Sequence, residues 1–160
     1  MKSLKFFIPL LVTSVLLGGC PYQSSVPIDE PNEKINTALL GNWEKKNTTG
    51  SLYKISKQDD YHYRIEKRGD EKKEVSVYNA YTSTINGTTF LNMEDEAQKD
   101  GYFLYKVTIN TGNNKITLEE ITENIDEKFT TSVELMAFIS KNKELSFFYS
   151  KEADVFYKAD

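Results

Sequence analysis

The residue with the most chemistry in it is Cys20, the only cysteine of 160 residues. A lone thiol closes no disulfide within its own chain and builds no thiolate metal site. The only histidine, His62, falls on the polar side of an alternating segment, next to Asp59 and Asp60. Acid–base catalysis needs a base within reach of a nucleophile or a metal, and zinc usually takes three nitrogen or sulfur ligands. Neither requirement is met by one histidine. The acidic runs Glu94-Asp95-Glu96 and Glu119-Glu120 through Asp126-Glu127 lack the alternating oxygen ligands and central glycine of a calcium loop. They fall in expected loops, where charge is simply solvated. The sequence therefore predicts no catalytic residue, no metal ligand, no cofactor and no enzyme.

What surrounds Cys20 gives it a different role. Lys2 and Lys5 form a positive start, and Phe6 to Leu17 is an uncharged apolar run of 12 residues. Spanning a bilayer takes about 20 such residues, so the run fits the apolar region of a signal peptide. It ends in Leu17-Gly18-Gly19-Cys20, which resembles a bacterial lipobox. The peptidase needs small residues because it grips extended backbone closely. Cleavage between Gly19 and Cys20 makes Cys20 the N-terminus, and its thiol accepts diacylglycerol. Acyl chains anchor at about 0.8 kcal/mol per buried methylene. Pro21 occupies the position where an Asp would favour inner-membrane retention, so the expected location is the cell envelope, lipid-anchored, with the outer membrane favoured.

Three segments follow: a signal peptide over 1–19, the lipidated Cys20 with a Pro-rich tether over 20–36, and one domain over 37–160. Pro21, Pro27 and Pro31 lie in the tether and no proline lies beyond it. An extended spacer of this kind reaches up to about 50 Å at ~3.1 Å per residue. The last 124 residues suffice for one domain. Without Lys2 and Lys5 the mature chain carries 18 basic and 24 acidic residues, a net charge near −6. That argues against nucleic acid as a partner. The partners expected are the membrane, through the N-terminal lipid, and a small apolar ligand or an envelope protein.

The domain reads as all-β and mainly antiparallel. In Tyr61–Glu66 and Phe103–Ile109 apolar residues occupy alternate positions, the mark of a strand with one buried face. Asn86-Gly87 between two strand-forming runs is a strong hairpin signal, and Gly69, Gly101 and Gly112 mark other turns. Strands are expected near 42–47, 51–57, 61–68, 74–85, 88–93, 102–110, 115–122, 145–150 and 155–158. Thr131-Ser132-Val133-Glu134 matches a capping box. Leu135, Met136, Phe138 and Ile139 then recur at helical spacing, so one short helix precedes the final hairpin. Eight or nine sequential antiparallel strands are best accommodated by closing into an up-and-down β-barrel.

Gly41-Asn42-Trp43, opening the first strand, resembles the G-x-W motif of lipocalins. The resemblance implies an eight-stranded barrel whose Trp closes the base and whose interior holds a small apolar ligand. In that family an Arg near the last strand covers the Trp. Here the only arginines are Arg64 and Arg68. The lipocalin helix also follows the barrel instead of preceding its end. The chain is similar as well to small uncharacterised lipoproteins of Gram-negative bacteria with a short lipobox, a Pro-rich tether and a G-x-W start, which implies location and fold.

A barrel of this size is either filled by side chains or holds one small ligand. The candidate ligand pocket is the aromatic set Trp43, Tyr61, Tyr63, Tyr81, Phe103, Tyr105, Phe147 and Tyr149, whose hydroxyls would suit an amphipathic molecule. The alternative is a solid barrel whose surface engages an envelope protein. Replacing Cys20→Ser should abolish incorporation of labelled palmitate and move the protein out of the membrane pellet; continued labelling would overturn the lipobox assignment.

Overall fold

The computed structural model describes residues 22–45, 52–69, 75–122 and 124–159. The signal segment, Gly19 and Cys20 lie outside them. Nine strands follow in chain order: β1 (Gln23–Ser24), β2 (Gly41–Lys45), β3 (Leu52–Lys57), β4 (Tyr63–Arg68), β5 (Val75–Ile85), β6 (Thr88–Asp95), β7 (Tyr102–Asn110), β8 (Lys115–Glu120) and β9 (Asp154–Lys158), with one helix, α1 (Ser132–Asn142), between β8 and β9. Each of β2 to β8 pairs antiparallel with the next strand, and β9 pairs with both β8 and β2. The result is a closed eight-stranded up-and-down barrel. Closure leaves no long unpaired edge, and β1 lies outside it, on the edge of β7.

Period-two alternation decides which side chains enter. Trp43 pairs with Tyr53 and Gly41 with Ile55; Ile55 pairs with Ile65. Trp43, Tyr53, Ile55 and Ile65 form the inner cluster with Leu91, Val107 and Phe156. The intervening positions point outward, and on β5 to β7 they are not uniformly polar. Ile85, Phe90 and Leu104 are apolar and form a second, outer cluster beneath α1 and residues 22–36.

Two expectations need correction. The stretch over 20–36 was expected to be a spacer; from Tyr22 onward it instead lies along the barrel as a strap. β1 hydrogen-bonds to β7, Ile28 is fully buried, and the Ile35 N–H donates to the Asp60 carbonyl at 3.0 Å. Ile28 is the reason: a large apolar side chain inside a polar, proline-marked segment finds its burial on the outer cluster. Gly101 permits the approach, because a Cβ there would stand 2.6 Å from the Ser24 carbonyl oxygen.

The second correction concerns residues 145–150. Ser146–Phe148 is a 3-10 turn, and only the Ile121–Tyr149 bridge pairs this segment with β8's continuation. The segment cannot alternate, because neighbouring Phe148 and Tyr149 are both buried on the outer cluster and the Tyr149 hydroxyl donates to the Lys143 carbonyl at 2.8 Å. The helix therefore precedes a single closing strand instead of a hairpin. Its capping residue is as expected: the Glu134 N–H donates to Thr131 Oγ1 at 3.3 Å, satisfying one of the free amides of a helix start. The Asn86–Gly87 turn is also present, with both residues at positive φ.

If the strap is part of the folded domain, Ile28→Ala should lower stability by about 2–5 kcal/mol, the usual range for emptying such a site. Urea denaturation should show this as a lower midpoint, with the transition still cooperative; an unchanged midpoint would contradict the packed strap.

Candidate functional site

The barrel has a plugged end and an end that, among the described residues, is open. At the plugged end a 3-10 turn, Thr37–Leu39, precedes β2 and carries buried Leu39 into the inner cluster. The Trp43 indole N–H donates to the Leu39 carbonyl at 2.8 Å, which satisfies the one polar group of a nearly inaccessible side chain. The Lys158 ammonium sits over the Trp43 ring, 5.5 Å from its centre. Lys158 pairs directly with Trp43 in the β2–β9 ladder. Its stem passes so close to Gly41 that a Cβ there would meet Lys158 Cε at 2.9 Å. Gly41 thus leaves room for the cation that covers Trp43.

Between the ends the barrel is full. The cavity bounded by Leu39, Tyr63, Ile65, Leu91, Val107 and Ile116 measures about 10 Å³. That is at the lower limit for one water molecule. Tyr63 crosses this region and receives the Asn36 N–H on its hydroxyl at 2.6 Å, so the inner core also holds the end of the strap.

At the open end, where β3, β5 and β7 begin, a cavity of about 120 Å³ is lined by Tyr53, Lys67, Tyr78, Met93, Phe103 and Tyr105. Tyr78 and Phe103 meet edge to face at 6.3 Å, and the Lys67 ammonium lies 5.5 Å from the centre of the Tyr53 ring. The Tyr105 hydroxyl donates to Glu120 Oε1 at 3.4 Å. Lys45 and Asp154 form an ion pair on the same rim. Burial, followed by nearby negative charge, pushes the Tyr53 and Tyr105 phenols well up, so both stay protonated donors at physiological pH. The mouth offers aromatic faces, phenol hydroxyls, two ammonium groups and two carboxylates, a combination suited to stacking and hydrogen bonding.

The eight aromatic residues selected from the sequence do not converge on one pocket. Trp43, Tyr63, Phe103 and Tyr105 belong to the inner core or its mouth. Tyr61 sits in the β3–β4 turn and is 39% exposed, its N–H donating to Asp59 Oδ1 at 2.8 Å. Tyr81 points outward, and its hydroxyl donates to the Asp29 carbonyl at 2.6 Å. Phe147 is 72% exposed. Tyr149 packs in the outer cluster, with the Lys106 ammonium 4.9 Å from its ring centre. The mouth residues missing from that set, Tyr53 and Tyr78, were reachable: extending period two along β3 and β5 puts both on the inner face.

His62 is paired with Asp59, Nδ1 to Oδ2 at 2.8 Å, and its ring meets Tyr81 edge-on. Among the described residues no group of three metal-ligating side chains occurs. The acidic runs lie partly in strands. Glu94 and Asp95 end β6, Glu119 and Glu120 end β8, and Glu119 pairs across strands with Lys106 at 2.9 Å.

The strap is held by a polar chain that local sequence does not announce. The Ile28 N–H donates to Asn92 Oδ1 at 2.9 Å, and Asn92 Nδ2 donates to Ser83 Oγ at 2.8 Å. Ser83 Oγ in turn donates to the Asp29 carboxylate. Burial raises the Asp29 pKa above its ordinary value, against the lowering effect of Ser83 and Asn32. Compared with known proteins, the chain matches no family model, no curated protein and no solved structure.

A carboxyl whose pKa is raised on folding binds protons more readily in the folded state, so its contribution to stability falls as pH rises. Asp29 should oppose folding most at neutral pH and least below about 3.8, its ordinary pKa. Asp29→Asn keeps the acceptor for Ser83 and removes the charge. Relative to the parent chain, the variant should gain stability at pH 7, and the gain should vanish as pH approaches 4. Urea midpoints across that range measure it; a pH-independent difference would contradict this role.

Proposed function

We propose that the protein is a lipid-anchored envelope lipoprotein with a lipocalin-like barrel that works through its outer surface, by engaging an envelope protein. The signal segment, the lipobox and the lone Cys20 support the anchor, and Pro21 after Cys20 supports the outer membrane. Three features support the lipocalin likeness. They are the eight-stranded meander, the 3-10 turn plugging one end through the Leu39–Trp43 hydrogen bond, and the Lys158 ammonium over Trp43, where that family places an Arg. The helix lies between β8 and β9, unlike the family pattern.

One observation carries the choice of surface over interior: the barrel's central cavity is about 10 Å³. Small-molecule sites usually measure about 300–1,000 Å³. A second reading, a carrier of a small amphipathic molecule, draws its support from the aromatic mouth of about 120 Å³. That volume takes a headgroup-sized moiety and no acyl chain.

Native mass spectrometry of protein purified from its host separates the two. The expected mass is that of the acylated polypeptide alone, and crosslinking in cells should trap one dominant protein. A co-purifying small molecule, with lipid as the only crosslinked species, would overturn the surface reading in favour of the mouth.

A further inference from the structure

We infer that the protein does not stand off from the bilayer: the face around Tyr22 and Phe147 rests on a zwitterionic phospholipid surface, with the Phe147 ring inserted among the headgroups. The inference rests on the proposed lipidation of Cys20 and adds where, and how closely, the barrel meets the membrane.

Reach is the first argument. Two peptide units separate Cys20 from Tyr22, so the lipid-bearing residue lies within about 7 Å of Tyr22. Tyr22 is already part of the folded body. It packs on the outer cluster, and its hydroxyl donates to the Glu127 carbonyl at 3.5 Å. Gln23 Nε2 donates to Asp100 Oδ1 at 2.7 Å, and Ser25 Oγ to the Phe129 carbonyl at 2.9 Å. The residues that would form a spacer are consumed by the strap, leaving no slack between lipid and barrel.

Phe147 is the second, independent argument. It is the most exposed aromatic residue among the large hydrophobics described, and it lies beside the anchor point. Along one edge of β7, Gln23 stands opposite Phe103, while the Ile121 N–H donates to the carbonyl of the next residue, Leu104. The Thr122 N–H donates to the Phe148 carbonyl at 3.0 Å. Residues 22–23, 121–122 and 147–148 therefore meet at one corner of the open end. An exposed aromatic ring with nearby lysines is the composition favoured at a membrane–water boundary; exposed Lys151 lines a groove with Phe147, and exposed Lys128 lines one with Tyr22. Asp126 and Glu127, which line the same groove as Tyr22, favour a zwitterionic surface over an anionic one.

The test uses full-length, acylated protein and vesicles of phosphatidylethanolamine and phosphatidylcholine, with and without brominated acyl chains. Acyl mass on Cys20 and sedimentation with vesicles are checked first; their absence overturns the anchor and this inference with it. In acylated Phe147→Trp protein, vesicles should shift the added emission to the blue, and brominated chains should quench it at least twofold. Trp43 alone, measured in the parent chain, should respond little because it is buried in the barrel. Lys128→Cys and Gln58→Cys, each the only free thiol beside lipidated Cys20, carry a donor dye for energy transfer to a headgroup-bound acceptor. Gln58 lies in the β3–β4 turn at the plugged end, across the barrel from β7. Transfer should be severalfold stronger from position 128. Equal transfer from both positions, or water-like emission from position 147 in sedimented acylated protein, overturns the inference and leaves the anchor intact. A blue shift without vesicles, marking self-association through Phe147, overturns it as well.

Discussion

Asn92 is a fully buried amide on the outside of a barrel, and much of the fold depends on how it is satisfied. It belongs to the outward-facing set of β6, next to Phe90, on a surface that a solitary barrel would leave to water. Its oxygen accepts from the strap at Ile28, and its nitrogen donates to Ser83 and, more weakly, to the Tyr81 carbonyl. A buried amide without those partners would cost several kcal/mol. With them it fixes one register of the strap, because only that register brings Ile28 onto Ile85 and Phe90 while giving Asn92 its donor. The apolar outer face supplies the driving force for docking, and the polar chain through Ser83 to Asp29 selects the position.

That arrangement divides the molecule into two cores sharing a sheet. The inner one is closed by Trp43 and Leu39 and filled by branched aliphatic side chains with Tyr53, Tyr63 and Phe156, leaving almost no void at its centre. The outer one joins the strap, α1 and the turn at Ser146–Phe148 through a run of ring contacts, Phe129 to Phe138 at 5.0 Å and Phe138 to Phe148 at 5.9 Å. The central interior leaves about 10 Å³ of space, and the larger cavity of about 120 Å³ lies at the mouth. The docked strap makes what reads as a spacer part of the folded body. In the proposed setting, the lipid would report directly on the orientation of the barrel.

The strands were legible because each carries an alternating set of side chains that faces the barrel interior, although β5 to β7 bury their outer face as well. Tyr63 and Ile65 alternate with Arg64 and Glu66, and Phe103 to Ile109 repeats the pattern, so period two alone places β4 and β7. The capping of α1 at Thr131 was equally local. Residues 145–150 were not legible as a turn: Leu145, Phe147 and Tyr149 alternate as a strand would, yet Phe148 is the residue that α1 and Phe138 hold. The aromatic pocket failed for a related reason. Alternation says that Tyr63 and Tyr81 each have a preferred face, but it cannot say that one face is the barrel interior and the other the underside of a strap.

The sequence alone determined the period of the strands, the Asn86–Gly87 turn, the helix cap and the opening Gly41-Asn42-Trp43, because each depends on residues a few positions apart. Only the tertiary structure decided that the barrel is full, that Lys158 covers Trp43, and that residues 22–36 are folded and not free. Those outcomes depend on partners up to 115 positions away, and on volumes that must sum to the space inside eight closed strands. Burial of Ile28 is set by the surface it meets, and that surface exists only once β5, β6 and β7 are side by side.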